Sequence, residues 1–190
     1  MADLGLTVVS SDGASSGYLN WKPAGSLYKQ RYEDLIVTDI ADHVKRHFDV
    51  AGGPWAIGGL SMGGYGAMRP GLKYPERFAS FWANSAAFHI NDVAPAELVD
   101  EGTIEDANVF LHADRLKVSG APPPVISFDC GVDDELIRYN RDLDAHLTRI
   151  GLEHHYAEHP GGHTWNYWDA HVVEAIAQHA RVLGIGIPAK

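Results

Sequence analysis

The sequence predicts an α/β fold, a mainly parallel sheet flanked by helices, and three observations carry that prediction. Short apolar runs alternate along the chain with longer stretches whose apolar residues recur every three to four positions. No internal repeat or low-complexity block interrupts the alternation. The length of 190 residues, 45% hydrophobic and 21% charged, suits one domain, 1–190, with a sizeable core and no independent second one.

The elements follow in order. Residues 6–10 (LTVVS) read as a buried strand ended by the turn signal Ser11-Asp12-Gly13. Residues 32–48 read as a helix, with Leu35, Ile36, Ile40, Val44 and Phe48 on one stripe. Residues 55–59 form a second strand that leads directly into a helix over about 61–74. Pro70 and Gly71 lie inside that helix and predict a kink or an early end, because proline removes a hydrogen bond and crowds the preceding turn. Residues 78–83, 125–128 and 154–157 read as further strands, and a helix runs from Glu135 towards Ile150. Residues 88–124 are polar and turn-rich and read as a small lid or connecting segment over one end of the sheet. The chain closes with a helix over 168–183, its stripe formed by Val172, Val173, Ile176, Ala180 and Leu183.

Charge and cysteine usage exclude several classes. A formal charge of −10, from 25 acidic and 15 basic residues, argues against nucleic acid as a partner, since tracking phosphates needs clustered Lys and Arg. The longest basic cluster is Lys45-Arg46. Cys130 is the only cysteine, so no intrachain disulfide forms and a reducing compartment is compatible. No run approaches the ~20 apolar residues of a membrane span. Met1-Ala2-Asp3 does not open a secretory signal, so the default expectation is a cytoplasmic protein without a membrane partner.

The chemistry begins at Gly59-Leu60-Ser61-Met62-Gly63, which fits G-x-S-x-G. In that pattern the serine sits in a strained strand-to-helix turn, where neighbours with side chains would collide. With 20 glycines in the chain the pattern alone decides little; the strand before it and the helix after it make Ser61 a candidate nucleophile. A serine needs a base, and the base needs an orienting carboxylate. After the strand at 125–128 comes the acidic loop Asp129-Cys130-Gly131-Val132-Asp133-Asp134-Glu135, which offers Asp129, Asp133 or Asp134. After the last strand comes His159-Pro160-Gly161-Gly162-His163-Thr164-Trp165, where glycines let a histidine approach the sheet edge. The order Ser, Asp, His is that of an α/β-hydrolase.

These residues resemble the esterase D and feruloyl-esterase branch of the α/β-hydrolases. The similarity rests on Gly58 to Ala67 around the serine, Asp129-Cys130-Gly131 through Asp134 and Leu136, and Gly162-His163-Thr164-Trp165 with Trp168, within a match over about 6–183. The resemblance implies Ser61 as nucleophile, Asp134 as acid and His163 as base. Asp129 then reads as a strand-end residue and Asp133 as a solvated loop carboxylate. The implied reaction is two-step acyl transfer on small, short-acyl esters with no cofactor. An acyltransferase of the same fold and a non-catalytic binding protein are the alternatives.

The family pattern also places a strand and a loop before the segment matched by residues 1–10, and that loop gives one of two oxyanion-hole amides. The chain therefore reads as N-terminally shortened, with residues 1–6 matching the end of a helix. Only the Met62 N–H is assigned to the oxyanion hole directly. Residues 6–10 are expected to pair with 55–59 instead, bringing the loop 11–17 beside Ser61 so that the N–H of Gly13 or Ala14 replaces the lost donor. The freed sheet edge invites self-association, so a homo-oligomer is expected.

The remaining candidates read as structural. His154, His155, His159 and His163 cluster near the last strand among eleven histidines, but His154 and His155 face opposite ways and no matching Cys pair or HExxH accompanies them, so no metal is expected. Cys130 reads as a buried small hydrophobe. Trp165 and Trp168 either line the substrate pocket or pack beneath the histidine loop, and His89 has no assigned role.

Overall fold

The apolar run at 78–83 lacks the alternation of a half-exposed strand, so it must be covered on both faces. In the computed structural model, which describes residues 5–21, 31–50, 52–89 and 101–185, this run is the second of four parallel strands. The strands β1 (Trp55–Leu60), β2 (Phe78–Asn84), β3 (Val125–Gly131) and β4 (His155–His159) lie side by side in chain order. Parallel neighbours need crossovers, and helices supply them. A helical stretch before β1 comprises α1 (Tyr32–Asp34), a π-helical turn (Leu35–Asp39) and α2 (Ile40–His47). Then α3 (Met62–Lys73) joins β1 to β2, α4 (Glu101–Ala107) and α5 (Val109–Ser119) lie between β2 and β3, α6 (Ile137–Ile150) joins β3 to β4, and α7 (Trp165–Val182) follows β4.

Alternation along β2 assigns the layers. Phe81 joins Met68 and Leu72 of α3 in the main buried cluster, which continues through Val109, Ala113, Phe128, Leu143 and Leu147. Ser80, one residue earlier, faces the other way and meets α7: its Oγ lies 2.8 Å from His179 Nδ1 and accepts from Gln178 Nε2 at 3.0 Å. Ser127 Oγ on β3 donates to Gln178 Oε1 at 2.5 Å. That polar match sets the rotation of α7. Ala175, Gln178 and Ala180 are buried, whereas Val172 and Val173 of the expected stripe are exposed. Burial pulls the His179 imidazole down to about 4.

Several expectations need correction. Residues 6–10 form no strand and pair with nothing in the sheet; Val8 and Val9 are exposed. Strand propensity depends on context, and although the outer edge of β1 carries no partner among the described residues, Val9 instead borders a shallow groove along Leu35, Ile40 and Val44. The segment at 88–124, read as a lid or connector, carries α4 and α5 between β2 and β3, and α5 buries Val109, Ala113 and Leu116 as part of the core, while residues 90–100 of that segment lie outside the described residues, as do residues 1–4. Apolar residues at 109, 113 and 116 carry helical spacing that a polar average over 88–124 conceals. Pro70 does not stop α3, which continues to Lys73. β3 runs three residues past its expected end, so Asp129 lies within the strand.

A buried ion cluster fixes α3 to its neighbours. Arg69 on α3 is 1% exposed; its Nη2 donates to Glu33 Oε2 at 2.7 Å and to Asp106 Oδ2, and its Nε donates to the Asp106 carbonyl at 2.6 Å. Lys73 Nζ bridges Glu33 at 2.7 Å and Asp106 at 2.6 Å. Burial alone would raise the Glu33 carboxyl, but Arg69, Lys73 and Tyr74 outweigh it and hold it below the ordinary carboxylate range; Arg69 and Lys73 do the same for Asp106.

Both folded-state values are depressed, so the cluster stabilises fully above about pH 4 to 5 and this stabilisation is lost as pH falls through the folded values. Glu33→Gln should flatten the acid limb of a urea-midpoint profile between about pH 5 and 3, and equal slopes in both proteins would contradict this role. Arg69→Met, which removes the buried cation between Glu33 and Asp106 and leaves Glu33 to Lys73 and Tyr74 alone, is expected to cost about 3 kcal/mol in the same measurement.

Candidate active site

The ends of the four strands set the site. Leu60 on β1 is paired with Asn84 on β2, and Asn84 with Asp129 on β3, so the turns leaving β1, β2 and β3 emerge side by side. Ser61 occupies the turn from β1 into α3 with φ 53 and ψ −121, a left-handed conformation that costs an L-residue about 1 to 3 kcal/mol. Its N–H donates to the Asn84 carbonyl at 2.9 Å, and its own carbonyl accepts from Tyr65 at 3.2 Å. A Cβ at Gly59 would lie 2.3 Å from the Gly63 carbonyl oxygen, so the tight turn requires glycine there. Tyr65 closes the first main-chain bond of α3, which leaves the amides of Met62, Gly63 and Gly64 in the unpaired first turn beside the serine.

Asp134 follows the end of β3 and is buried. Its Oδ1 accepts from the Leu136 N–H at 2.8 Å, and its Oδ2 lies 2.9 Å from His163 Nδ1. His163 Nε2 in turn lies 2.9 Å from Ser61 Oγ. A carboxylate only accepts, so Nδ1 carries the proton towards Asp134 and Nε2 is free to accept from the serine hydroxyl. The loops of Asp134 and His163 are laced together by Val132 N–H to the His159 carbonyl and Asp133 N–H to the Gly161 carbonyl, each at 2.9 Å. That approach needs glycine at 131, where a Cβ would lie 2.3 Å from the Gly161 oxygen. Trp168 stands edge-on to the His163 ring at 4.8 Å, and the exposed Trp165 stacks edge-on against Trp168 at 5.3 Å.

The other sequence candidates separate from this chain. Asp133 is exposed, and Asp129 is fully buried away from His163's two partners. Cys130 is buried and its thiol is pushed up to about 12 by desolvation first and by the nearby Asp134 second. His154 binds the Leu152 carbonyl and Asp144, while His155 lies exposed against Trp82, so the clustered histidines do not converge. His89 packs on Tyr139 at 4.2 Å. The loop at 11–18 does reach α3, since a Cβ on Gly66 would meet the Tyr18 ring. The Ala14 N–H is engaged by Asp12 Oδ1 at 2.8 Å, whereas the Gly13 N–H makes no hydrogen bond among the described residues.

Sequence reasoning missed the polar hub beneath the site. Asp129 accepts from Trp82 Nε1 at 2.5 Å, Asn84 Nδ2 at 2.6 Å and Tyr167 OH at 2.7 Å. Desolvation raises its carboxyl, opposed by the Trp82 and Tyr167 hydrogen bonds. The hub ties β2, β3 and the start of α7 together, and Asn84 connects it to the Ser61 N–H. Asn84 was the available signal, because asparagine is depleted in strand interiors and here extends an otherwise apolar run.

A serine in a strand-to-helix turn, with acid and histidine on later strand-end loops of a parallel sheet, defines the α/β-hydrolase fold. The chain belongs to the esterase family described as "Putative esterase", whose model matches residues 2–179. It is 35% identical over 144 residues to the acetyl esterase of Caldicellulosiruptor saccharolyticus, covering 66% of this chain and 54% of that one. FphF, a fluorophosphonate-binding serine hydrolase of Staphylococcus aureus, superposes with a TM-score of 0.74 at 25% identity, covering 87% of this chain and 68% of that one. The S-formylglutathione hydrolase FrmB of the same organism gives a TM-score of 0.68 at 27% identity, covering 78% and 60%. The chain spans about half the length of the curated relatives it matches.

The hub has a testable cost. Asp129→Ala leaves three buried donors without an acceptor and should destabilise by at least about 3 kcal/mol in urea unfolding. Asp129→Asn keeps one oxygen for Trp82 and Asn84 and offers its amide to the Tyr167 oxygen, so it should retain most of that stability. Equal losses in the two variants would contradict the hydrogen-bonding role.

Proposed function

We propose that the protein is a serine carboxylesterase acting on small, short-acyl esters. The observation that carries this reading is the continuous chain of contacts from Ser61 Oγ to His163 to Asp134, each at 2.9 Å, with the serine in a strained turn at a helix N-terminus. Ser61 Oγ attacks the ester carbonyl carbon as His163 Nε2 takes its proton. Asp134 holds the tautomer that leaves Nε2 free and stabilises the imidazolium that forms. The protonated His163 then gives its proton to the departing alkoxide, and the acyl group stays on Ser61. Water, deprotonated by His163, attacks the acyl-enzyme, and the protonated His163 returns that proton to Ser61 Oγ as the acyl bond breaks and the carboxylic acid leaves.

The Met62 N–H, next after the nucleophile in the unpaired first turn of α3, is assigned to the oxyanion. Gly13 is the favoured second donor, since the Ala14 amide already has an acceptor. Similarity to an acetyl esterase supports a short acyl group. Trp165, 72% exposed and stacked on the tryptophan that flanks His163, supplies an apolar platform at the mouth of the site. No described helix is long and apolar enough to cross a membrane.

Steady-state hydrolysis of p-nitrophenyl esters tests the proposal. Ser61→Ala should reduce kcat by about 10⁴-fold or more, to the level of residual binding catalysis, and Asp134→Asn by about 10³- to 10⁴-fold. Acetate should be turned over faster than octanoate. Undiminished turnover by Ser61→Ala would remove the assignment. Trp165→Ala should raise KM several-fold with kcat little changed; an unchanged KM would remove Trp165 from the substrate site.

A further inference from the structure

A second group of chemically capable side chains lies outside the Ser61 site. His159 closes β4, and His171 and Glu174 lie three residues apart on α7, so the two helix residues share a face turned towards the strand end. One ligand atom from each of the three lies within 4.8 Å of the others. His171 Nδ1 is 3.0 Å from Glu174 Oε1, and His159 Nε2 is 4.0 Å from Glu174 Oε2. His159 Nε2 is shut off from solvent and has no hydrogen-bond partner among the described residues. An orphaned buried ring nitrogen beside a second imidazole and a carboxylate calls for a partner.

We infer that His159, His171 and Glu174 form a binding site for a divalent transition metal of the zinc class. Two imidazoles and one carboxylate are a donor set suited to zinc or cobalt and ill suited to calcium or magnesium, which take oxygen ligands. Three protein ligands leave a fourth position for water. Ligand distances of about 2.0 to 2.2 Å put donors of a tetrahedral ion roughly 3.3 to 3.6 Å apart, so the His159–Glu174 approach of 4.0 Å must close slightly and the three donors, all within 4.8 Å of one another, must draw together around the ion. The two imidazole rings are stacked at 4.0 Å and 17°, and one must turn about its side-chain torsions to address the ion. Both residues are half-buried, which leaves room for that rotation.

The position gives the ion a role. β4 ends at His159 and α7 begins at Trp165, so a metal joining His159 to α7 closes the loop that carries His163 at both of its ends. His171 also packs on Tyr167 at 4.6 Å, whose hydroxyl binds Asp129. The ion therefore clamps the support of the catalytic histidine without touching the histidine itself.

Cobalt(II) titration of chelator-treated protein, read by visible ligand-field absorption, tests the site. One equivalent should bind with the intense bands of a four-coordinate ion and raise the thermal midpoint. Glu174→Gln, close in shape and expected to fold, and His171→Ala should each weaken binding at least tenfold. His43→Ala, which breaks an exposed and stacked His43–His47 pair on α2, should leave the bands unchanged. Absence of the bands in the unaltered protein, their survival in folded Glu174→Gln, or their loss in His43→Ala would each overturn the assignment.

Discussion

Asn84 joins the nucleophile turn to the core, and much of the site depends on that one residue. Its carbonyl accepts the Ser61 N–H at 2.9 Å while its side-chain amide donates to the buried Asp129 at 2.6 Å. Ser61 is held at positive φ, a conformation that persists only when its surroundings over-determine it. The carbonyl that holds Ser61 is fixed in turn by a carboxylate that also takes hydrogen bonds from Trp82 and Tyr167. Because Tyr167 sits in the first turn of α7, four residues after His163, the same hub sets the start of the helix that follows His163. A strained serine and a positioned histidine thus share one buried anchor.

The parallel sheet makes this economy possible. Its strands end in register, Leu60 with Asn84, Asn84 with Asp129 and Gly131 with His159, so that three consecutive chain exits meet over one edge. Glycine at 59 and at 131 allows the turns to approach within contact distance where any side chain would intrude. The Arg69 cluster fastens α3, whose first turn begins beside Ser61, to residues 33 and 106 from distant parts of the chain.

How much of this was legible in the sequence depends on how local the deciding interaction is. Four of the five expected strands form, because their apolar runs and turn signals lie within a few residues of one another. The fifth, at 6–10, has a similar composition and does not form: Val9 lies against the groove of Leu35, Ile40 and Val44 rather than along β1, a tertiary choice that no local pattern reveals. Motif and order pointed to Ser61, an acidic loop and a histidine loop, the family resemblance singled out Asp134 and His163, and the structure brings those three side chains into contact. The Asp129 hub was not, because its donors come from residues 82, 84 and 167, and nothing in the run around Asp129 names them. The last helix was found but misoriented: its valines suggested one face, whereas Gln178 and His179 match serines on the sheet and turn it to another.

The central claim is that Ser61 is an activated nucleophile, and covalent labelling measures that directly. Treatment with an excess of a serine-directed phosphonate, followed by intact-mass and peptide analysis, should give one phosphonyl group per chain on Ser61, formed far more slowly when His163 is replaced by alanine. An unlabelled protein, or a label carried on another residue while Ser61 stays free, would contradict the account.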